Sequence, residues 1–292
     1  MPPTVQFAIY RDYEASRQRA NNAIVALLAG SALAAHTLKL TEGSDRLLPE
    51  IFPAVPHIEY FNLRPDAAAA VIGAAGPHLA TVTVPYALAI HGDFVTQCID
   101  WMANTHRVAL MIPRRDVNSG NMHEALASAV KNSLAASGSV DLELFHLYRQ
   151  MRNCHIHRGG RANSALRDQE VGLSPEARVR WRDLTGREAG TLIADGRAEY
   201  CLLDVFAIFA VTKELGRGIN SLLRTGLSPS QWAEACVDDY CQETARAPKS
   251  NAWGRGLIGY ARYRYEALAL ENRLLFAAAA RKGVWPDPDR LP

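Results

Sequence analysis

Residues 147–163 carry the group of side chains in this sequence best suited to chemistry. They read Leu-Tyr-Arg-Gln-Met-Arg-Asn-Cys-His-Ile-His-Arg-Gly-Gly-Arg-Ala-Asn. Arg152 and Asn153 are followed by His155 and His157, and a pair of glycines comes directly after them. An arginine offers a phosphate a charge that physiological pH does not remove, and a histidine moves protons near neutral pH. These residue types predict a phosphate-binding site.

Positive charge is concentrated around this stretch rather than spread over the chain. The sequence has 32 Lys and Arg against 30 Asp and Glu, a formal net charge of +2, so it is no general polycation. Any contact with a nucleic acid must therefore come from local clusters. The cluster predicted here consists of Arg149, Arg152, Arg158, Arg161 and Arg167.

A helix is predicted to carry the motif. Apolar residues recur three and four positions apart at Leu144, Leu147, Met151 and Cys154, and Ser139 or Asp141 could cap the start. Residues five apart on an uninterrupted helix point about 140° from one another, so Arg152 and His157 would not converge.

The glycines that follow suggest a bend. Gly159 and Gly160 can adopt the positive φ that ends a helix, which would place His157 in a turned last segment. His155, three residues from Arg152, is the rival partner. The structural alternative is an ordinary helix end, where His157 and Arg158 are favourable beside the negative end of the helix dipole.

Arg152-Asn153-Cys154-His155-Ile156-His157, followed by Gly159-Gly160, resembles the Arg-x4-6-His motif of the HEPN superfamily (higher eukaryote and prokaryote nucleotide-binding). The resemblance covers residues 147–163 and, more loosely, the flanking helices. It implies an all-α helical bundle that is usually dimeric and is often a metal-independent ribonuclease of toxin or antiviral-defence type. Two subunits would bring their motifs together at one cleft.

The resemblance also assigns roles. Arg152 would hold the scissile phosphate, His157 would transfer the proton, Asn153 would orient either group, and His155 is the reserve acid or base. Arg149, Arg158 and Arg161 are expected to bind RNA, with transfer RNA as one candidate and with no metal or other cofactor. Expected partners are a second copy of the chain and an antitoxin or defence-system protein. The alternative is a non-catalytic HEPN-like module that binds RNA or a nucleotide, or dimerises.

The predicted organisation is a helical core of residues 1–220, a helical extension of residues 228–284 and an extended tail of residues 285–292. No P-loop, dinucleotide-binding or nucleophile-elbow motif is present, and the five scattered cysteines lack zinc-site spacing. The N-terminus lacks signal-peptide order. Residues 23–40 are apolar and are expected to be a core helix, not a membrane span, so the predicted location is cytoplasmic.

Residues 7–40 are predicted to form one long helix or two abutting ones. Helices are also predicted over residues 64–73, 85–104 and 122–136, with Pro85 in a first turn. Residues 161–198 form a polar insertion that could shape the site or be a surface excursion. It carries a possible hairpin at Asp195-Gly196. A helix follows over residues 198–218, the capping box at Ser228 opens another, and a last helix covers residues 253–281.

The last predicted helix opens with arginines interleaved with tyrosines, at Arg255, Tyr260, Arg262, Tyr263, Arg264 and Tyr265. Such a pattern can stack the bases and hold the phosphates of a single strand. Tyrosines at a helix interface with arginine stems packed around them are the preferred interpretation.

Overall fold

The computed structural model describes residues 3–105, 108–131 and 136–286, except for the side chains of residues 136–138. It is 72% helix and 2% strand, which confirms the predicted all-α class. Residues 287–292 of the predicted tail lie outside the described part of the chain.

The described residues form α-helices, a few short 3₁₀ turns and one two-stranded hairpin. The helices are α1 (Ala8–Leu38), α2 (Leu48–Ile51), α3 (Pro65–Gly73), α4 (Ala75–Asn104), α5 (Met122–Ala129), α6 (Ala136–Arg158), α7 (Ser164–Val171), α8 (Pro175–Thr185), α9 (Leu203–Gly226), α10 (Pro229–Glu243), α11 (Asn251–Arg264) and α12 (Asn272–Arg281). The antiparallel strands are β1 (Ile193–Ala194) and β2 (Arg197–Ala198).

Two compact units make up the chain, and both are discontinuous in sequence. Unit 1 contains residues 1–16, 89–142 and 212–292, and unit 2 contains residues 17–88 and 143–211. The predicted division into a core of residues 1–220 and an extension of residues 228–284 is a different one, and it stays a prediction.

The core of unit 1 is aromatic. Phe7 stacks on Trp101 with ring centroids 5.4 Å apart, and Tyr13 stacks on Phe94 at 4.2 Å. Phe7 also meets Trp232 edge to face at 5.5 Å. The start of α1 is therefore held by rings from α4 and α10, segments far away in the sequence.

Unit 2 is built around α6. Tyr148 is fully buried against Trp181 of α8, with ring centroids 5.3 Å apart. Leu166 and Leu192 are also fully buried, so residues 161–198 contribute core side chains. This segment is not a surface excursion.

The local turn and capping predictions are confirmed. Asp195 and Gly196 take positive φ values of 48° and 72° between β1 and β2, as the predicted Asp-Gly hairpin turn requires. Ser228 caps α10 in a capping box with Gln231.

Three boundary predictions are wrong. Pro85 lies inside α4, which begins at Ala75, and not in a first turn. Helix α6 begins at Ala136, so Ser139 and Asp141 lie within it instead of capping it. The predicted last helix is two helices, because Ala269 adopts a φ of 47° between α11 and α12.

The expectation of a core helix over residues 23–40 is also wrong. Ala8–Thr41 is long and apolar enough to cross a membrane by length and composition, with a mean hydropathy of 1.6 in its most apolar stretch, of which only 6% is buried. Leu27 and Leu33 are 58% and 67% exposed. Helices α3 and α4 pass the same test together, as a pair bent by 42°.

Candidate functional site

The motif lies at the end of α6, within unit 2. The helix continues to Arg158, so the predicted bend before His157 is wrong, and His157 is a helical, exposed residue. The side chains of Arg152 and His157 therefore point in different directions from α6, whereas those of Arg152 and His155 share one face of the helix. The structure leaves the predicted roles of Arg152, Asn153, His155 and His157 as predictions.

Two glycines turn the chain directly after the helix. Gly159 and Gly160 have φ values of 59° and 88°, in the region that suits glycine, and the Gly160 N–H donates to the Cys154 carbonyl at 3.0 Å. The Ala198 N–H donates to the Gly160 carbonyl at 2.8 Å. These bonds tie the β1–β2 hairpin to the end of the motif helix.

The hairpin brings Tyr200 onto His155. Their rings are stacked with centroids 4.6 Å apart and an interplanar angle of 23°. Tyr200 is only 5% exposed. His155 Nε2 and the Tyr200 hydroxyl are both buried, and neither has a hydrogen-bond partner among the residues that the structure describes. A buried polar atom without a partner costs stability, so such a pair marks a place where a ligand could supply the missing bonds.

The surroundings set the charge states of this pair. Burial lowers the pKa of His155 below its ordinary value of 6.5, a hydrogen bond with the Ala198 backbone opposes the shift, and the positive charge of Arg197 adds to it. Burial also raises the pKa of Tyr200, helped by the nearby carboxylate of Asp204. At neutral pH the site therefore presents a neutral imidazole, which can accept a proton, and a protonated phenol, which can donate a hydrogen bond.

Arginines surround the pair. The charge of Arg152 acts on the Tyr200 hydroxyl. Burial lowers the pKa of Arg149, and the charge of Arg152 adds to this shift. Arg149 donates to His146 Nδ1 at 3.3 Å. Arg158 and Arg161 are exposed, and in the described part of the chain neither they nor Arg152 form an ion pair. Their charge remains available to an anion.

Arg197 closes one side of the site. Its guanidinium donates to the Gly159 carbonyl, and its Nη2 lies 3.2 Å from the position that a Cβ on Gly160 would take. The same position is 3.6 Å from His155 Cε1. A side chain at residue 160 would therefore crowd the arginine, contact the histidine and require a φ of 88°, which suits glycine.

The buried carboxylate of Asp204 positions the backbone next to Tyr200. Asp204, at the start of α9, is fully buried and accepts from the Tyr148 hydroxyl at 2.9 Å. It also accepts from Arg187 and from the Cys201 N–H, both at 2.6 Å. Asp204 thus fixes Cys201, the residue after Tyr200, to the start of α9. The same carboxylate joins α9 to the motif helix through Tyr148.

Other motif residues have structural surroundings. Cys154 is buried, with its Sγ 3.7 Å from Asn163 Oδ1, and Asn163 caps α7 by accepting from the Leu166 N–H at 2.8 Å. Asn153 is half-buried on α6. Within the described ranges, no group of three or more His, Cys, Asp and Glu residues could hold a metal ion.

Comparisons with models of protein families, with curated proteins and with solved structures find no match to this chain. The class that the structure defines is an all-α protein in which an arginine-rich helix end meets a buried tyrosine.

Sequence reasoning missed Tyr200 and Arg197. No spacing rule relates position 155 to position 200, because the contact depends on how a hairpin folds back over a helix end. The one local signal was the Asp195-Gly196 turn, which predicts a reversal of the chain but not its destination.

Proposed function

We propose that this chain is a metal-independent endoribonuclease of the HEPN type, active in toxin or antiviral-defence systems of bacteria. The observation that carries the proposal is the pair of buried, unpartnered polar atoms, His155 Nε2 and the Tyr200 hydroxyl, beside the charge of Arg152. The motif resemblance of residues 147–163 supports the same conclusion. RNA is the proposed substrate, with transfer RNA as the first candidate.

The proposed reaction is attack of a ribose 2′-oxygen on the adjacent phosphorus. His155 Nε2 accepts the 2′-hydroxyl proton, which is consistent with a lowered pKa that keeps the imidazole neutral at pH 7. Arg152 stabilises the charged phosphorane, and the Tyr200 hydroxyl donates to one of its oxygens. The P–O5′ bond then breaks, and the leaving 5′-oxygen takes up the proton that His155 accepted from the 2′-hydroxyl, which returns the imidazole to its neutral form. The products are a 2′,3′-cyclic phosphate and a 5′-hydroxyl.

His155 replaces His157 as the preferred proton acceptor in this scheme. Of these two histidines, His155 is the one that shares a helical face with Arg152 and contacts Tyr200. Asn153 keeps a supporting role toward the phosphate. His157, Arg149, Arg158 and Arg161 are the proposed contacts to the rest of the RNA.

A homodimer completes the proposal. Residues 20–38 of α1 include no Asp, Glu, Lys or Arg, and Leu27 and Leu33 are more than half exposed. An apolar surface of this kind is typical of a protein interface. A second copy would cover it by packing the same surface against itself, as symmetric dimers do. The proposed location is the cytoplasm, where an antitoxin or defence-system partner could control the activity.

The test is cleavage of total RNA and of transfer RNA in the presence of a chelator, with mapping of the cleaved ends. Wild type should leave 2′,3′-cyclic phosphates. Arg152→Ala and His155→Ala should each lower the rate by about 100-fold or more, whereas His157→Ala should lower it less. Because the pKa of His155 is lowered, the loss of rate toward acid should begin below pH 6.5. Magnesium-dependent products with 5′-phosphates would contradict the mechanism.

A non-catalytic HEPN-like binding module is the second candidate. It is favoured by the shielding of His155 Nε2 and the Tyr200 hydroxyl from solvent, since a catalytic group must reach its substrate. RNA that binds but stays intact with every substrate, with affinity unchanged by His155→Ala, would select this alternative.

A further inference from the structure

An open cleft in unit 1 lies between the end of α10 and the length of α11. It encloses about 510 Å³, a volume typical of small-molecule sites. Its lining includes Tyr240, Glu243, Arg246, Tyr260 and Tyr263. The residues of the motif helix do not belong to it.

The cleft walls are aromatic. Tyr260 and Tyr263 are three positions apart on α11 and so lie on one side of that helix. Tyr263 is 73% exposed, with the guanidinium of Arg264 4.9 Å from its ring centroid. Tyr240 lies behind Tyr260, with ring centroids 5.4 Å apart. An exposed, cation-backed ring on such a wall is a platform on which a flat aromatic ring can stack.

Two glycines of α11 shape the cleft. A Cβ at Gly256 would overlap the Tyr240 hydroxyl and Arg246 Nη1, whereas a Cβ at Gly259 would meet nothing within 4 Å. Gly256 therefore lets an arginine and a tyrosine converge on the backbone of α11, and Gly259 leaves free space beside them.

Polar groups are placed at the edges of the cleft. Glu243 Oε1 accepts from the Tyr260 hydroxyl at 2.7 Å and from Arg11, while no described residue donates to Glu243 Oε2. Arg246 is exposed and is oriented by a bond from its Nη1 to the Ala252 carbonyl at 3.2 Å. The cleft thus offers a stacking surface, a carboxylate oxygen for an N–H donor and an arginine for a phosphate.

We infer that this cleft binds an unpaired nucleobase of single-stranded RNA, stacked on Tyr263, with a base N–H donating to Glu243 and a neighbouring phosphate held by Arg246. Aromatic stacking and hydrogen bonds to exposed base edges are the usual means by which proteins recognise single-stranded RNA. This inference deepens the proposed function and rests on it for the identity of the ligand. Tyr265, fully buried and bonded to Asp239 at 2.6 Å, is structural and takes no part.

The test uses a short single-stranded 2′-O-methyl RNA labelled with fluorescein and carrying 4-thiouridine, with the full-length protein. The methyl groups block the proposed attack by the 2′-oxygen, so the probe stays intact. Tyr263→Ala should weaken binding about tenfold, the range expected for loss of one stacked base. Tyr60→Ala is the matched control, because Tyr60 is 83% exposed and lies in unit 2. Photocrosslinking followed by peptide mapping should locate RNA on residues 251–264, and Tyr263→Ala should remove that crosslink.

The outcomes separate this inference from the proposed function. Crosslinks at residues 147–163 with none at residues 251–264, and equal affinity for Tyr263→Ala and wild type, would overturn the inference alone. A crosslink confined to residues 251–264 in a protein that never cleaves RNA would support the cleft and contradict the nuclease. Absence of RNA binding would overturn both.

Discussion

At the scale of single residues, a buried hydrogen-bonded chain in unit 1 fixes the charge state of a histidine. The Tyr13 hydroxyl donates to the Thr212 carbonyl at 2.6 Å, so it accepts from His91 Nδ1 at 3.0 Å. His91 Nε2, then an acceptor, receives a hydrogen bond from His123 Nε2 at 2.9 Å. His91, which donates through Nδ1 and accepts at Nε2, is thereby held as one neutral tautomer.

This chain predicts acid sensitivity. Burial lowers the pKa of His91 from 6.5 to about 3, so the folded state binds fewer protons than the unfolded state between these values. The stabilisation that depends on a neutral His91 is present above pH 6.5 and is lost as the pH falls toward the pKa of the folded state. Between pH 6.5 and pH 5.0 the free energy of unfolding should fall by about 2 kcal/mol, measured by urea denaturation.

The comparison variant is His91→Phe, which removes the titrating group. It should be less stable at pH 7.5 but should lose less stability than wild type as the pH is lowered. Equal pH slopes in the two proteins would show that His91 is not the group responsible.

At the scale of elements, an ion pair joins residues 161–198 to α9. Arg187 donates to Asp204, whose side chain is fully buried, and the guanidinium of Arg187 also lies 5.5 Å from the centroid of the Trp181 ring. The same carboxylate fixes the backbone beside Tyr200. A change at Asp204 should therefore affect both stability and the site.

Asp204→Asn should lower the free energy of unfolding by about 3 kcal/mol, because it leaves a half-buried arginine without its counter-ion. It should also weaken RNA cleavage by displacing Tyr200. Glu188→Gln is the matched control, since its pair with Arg182 is exposed and should matter by less than about 1 kcal/mol. Denaturant midpoints at constant slope measure both effects, and similar shifts for the two variants would refute the assignment.

At the scale of the whole molecule, the exposed half of α1 predicts self-association. Leu27→Asp combined with Leu33→Asp should convert a dimer into a monomer without loss of helix content, because it places charges on the proposed interface. Analytical ultracentrifugation and circular dichroism measure the two properties. Val171→Asp is the control, since Val171 is 76% exposed on α7. A wild type that is monomeric, or that floats with lipid vesicles, would contradict the dimer.

Local features of the chain were readable from the sequence. The apolar stripe of α6, the capping box at Ser228 and the Asp195-Gly196 turn each depend on residues within a few positions of one another, so spacing predicts them. The motif itself is local too, which is why Arg152 and His155 could be named as candidates before their surroundings were known.

Tertiary structure alone decided the rest. The contact of Tyr200 with His155, the bonds of Asp204 and the grouping of residues 1–16 with residues 89–142 and 212–292 join segments far apart in sequence. The apolar half of α1 has the composition of a core helix, yet it is exposed. Composition shows that a helix could be buried, but burial also requires another element that packs against it. The sequence determined the residue types and helices of this protein, and the folding of distant segments onto one another decided which side chains meet.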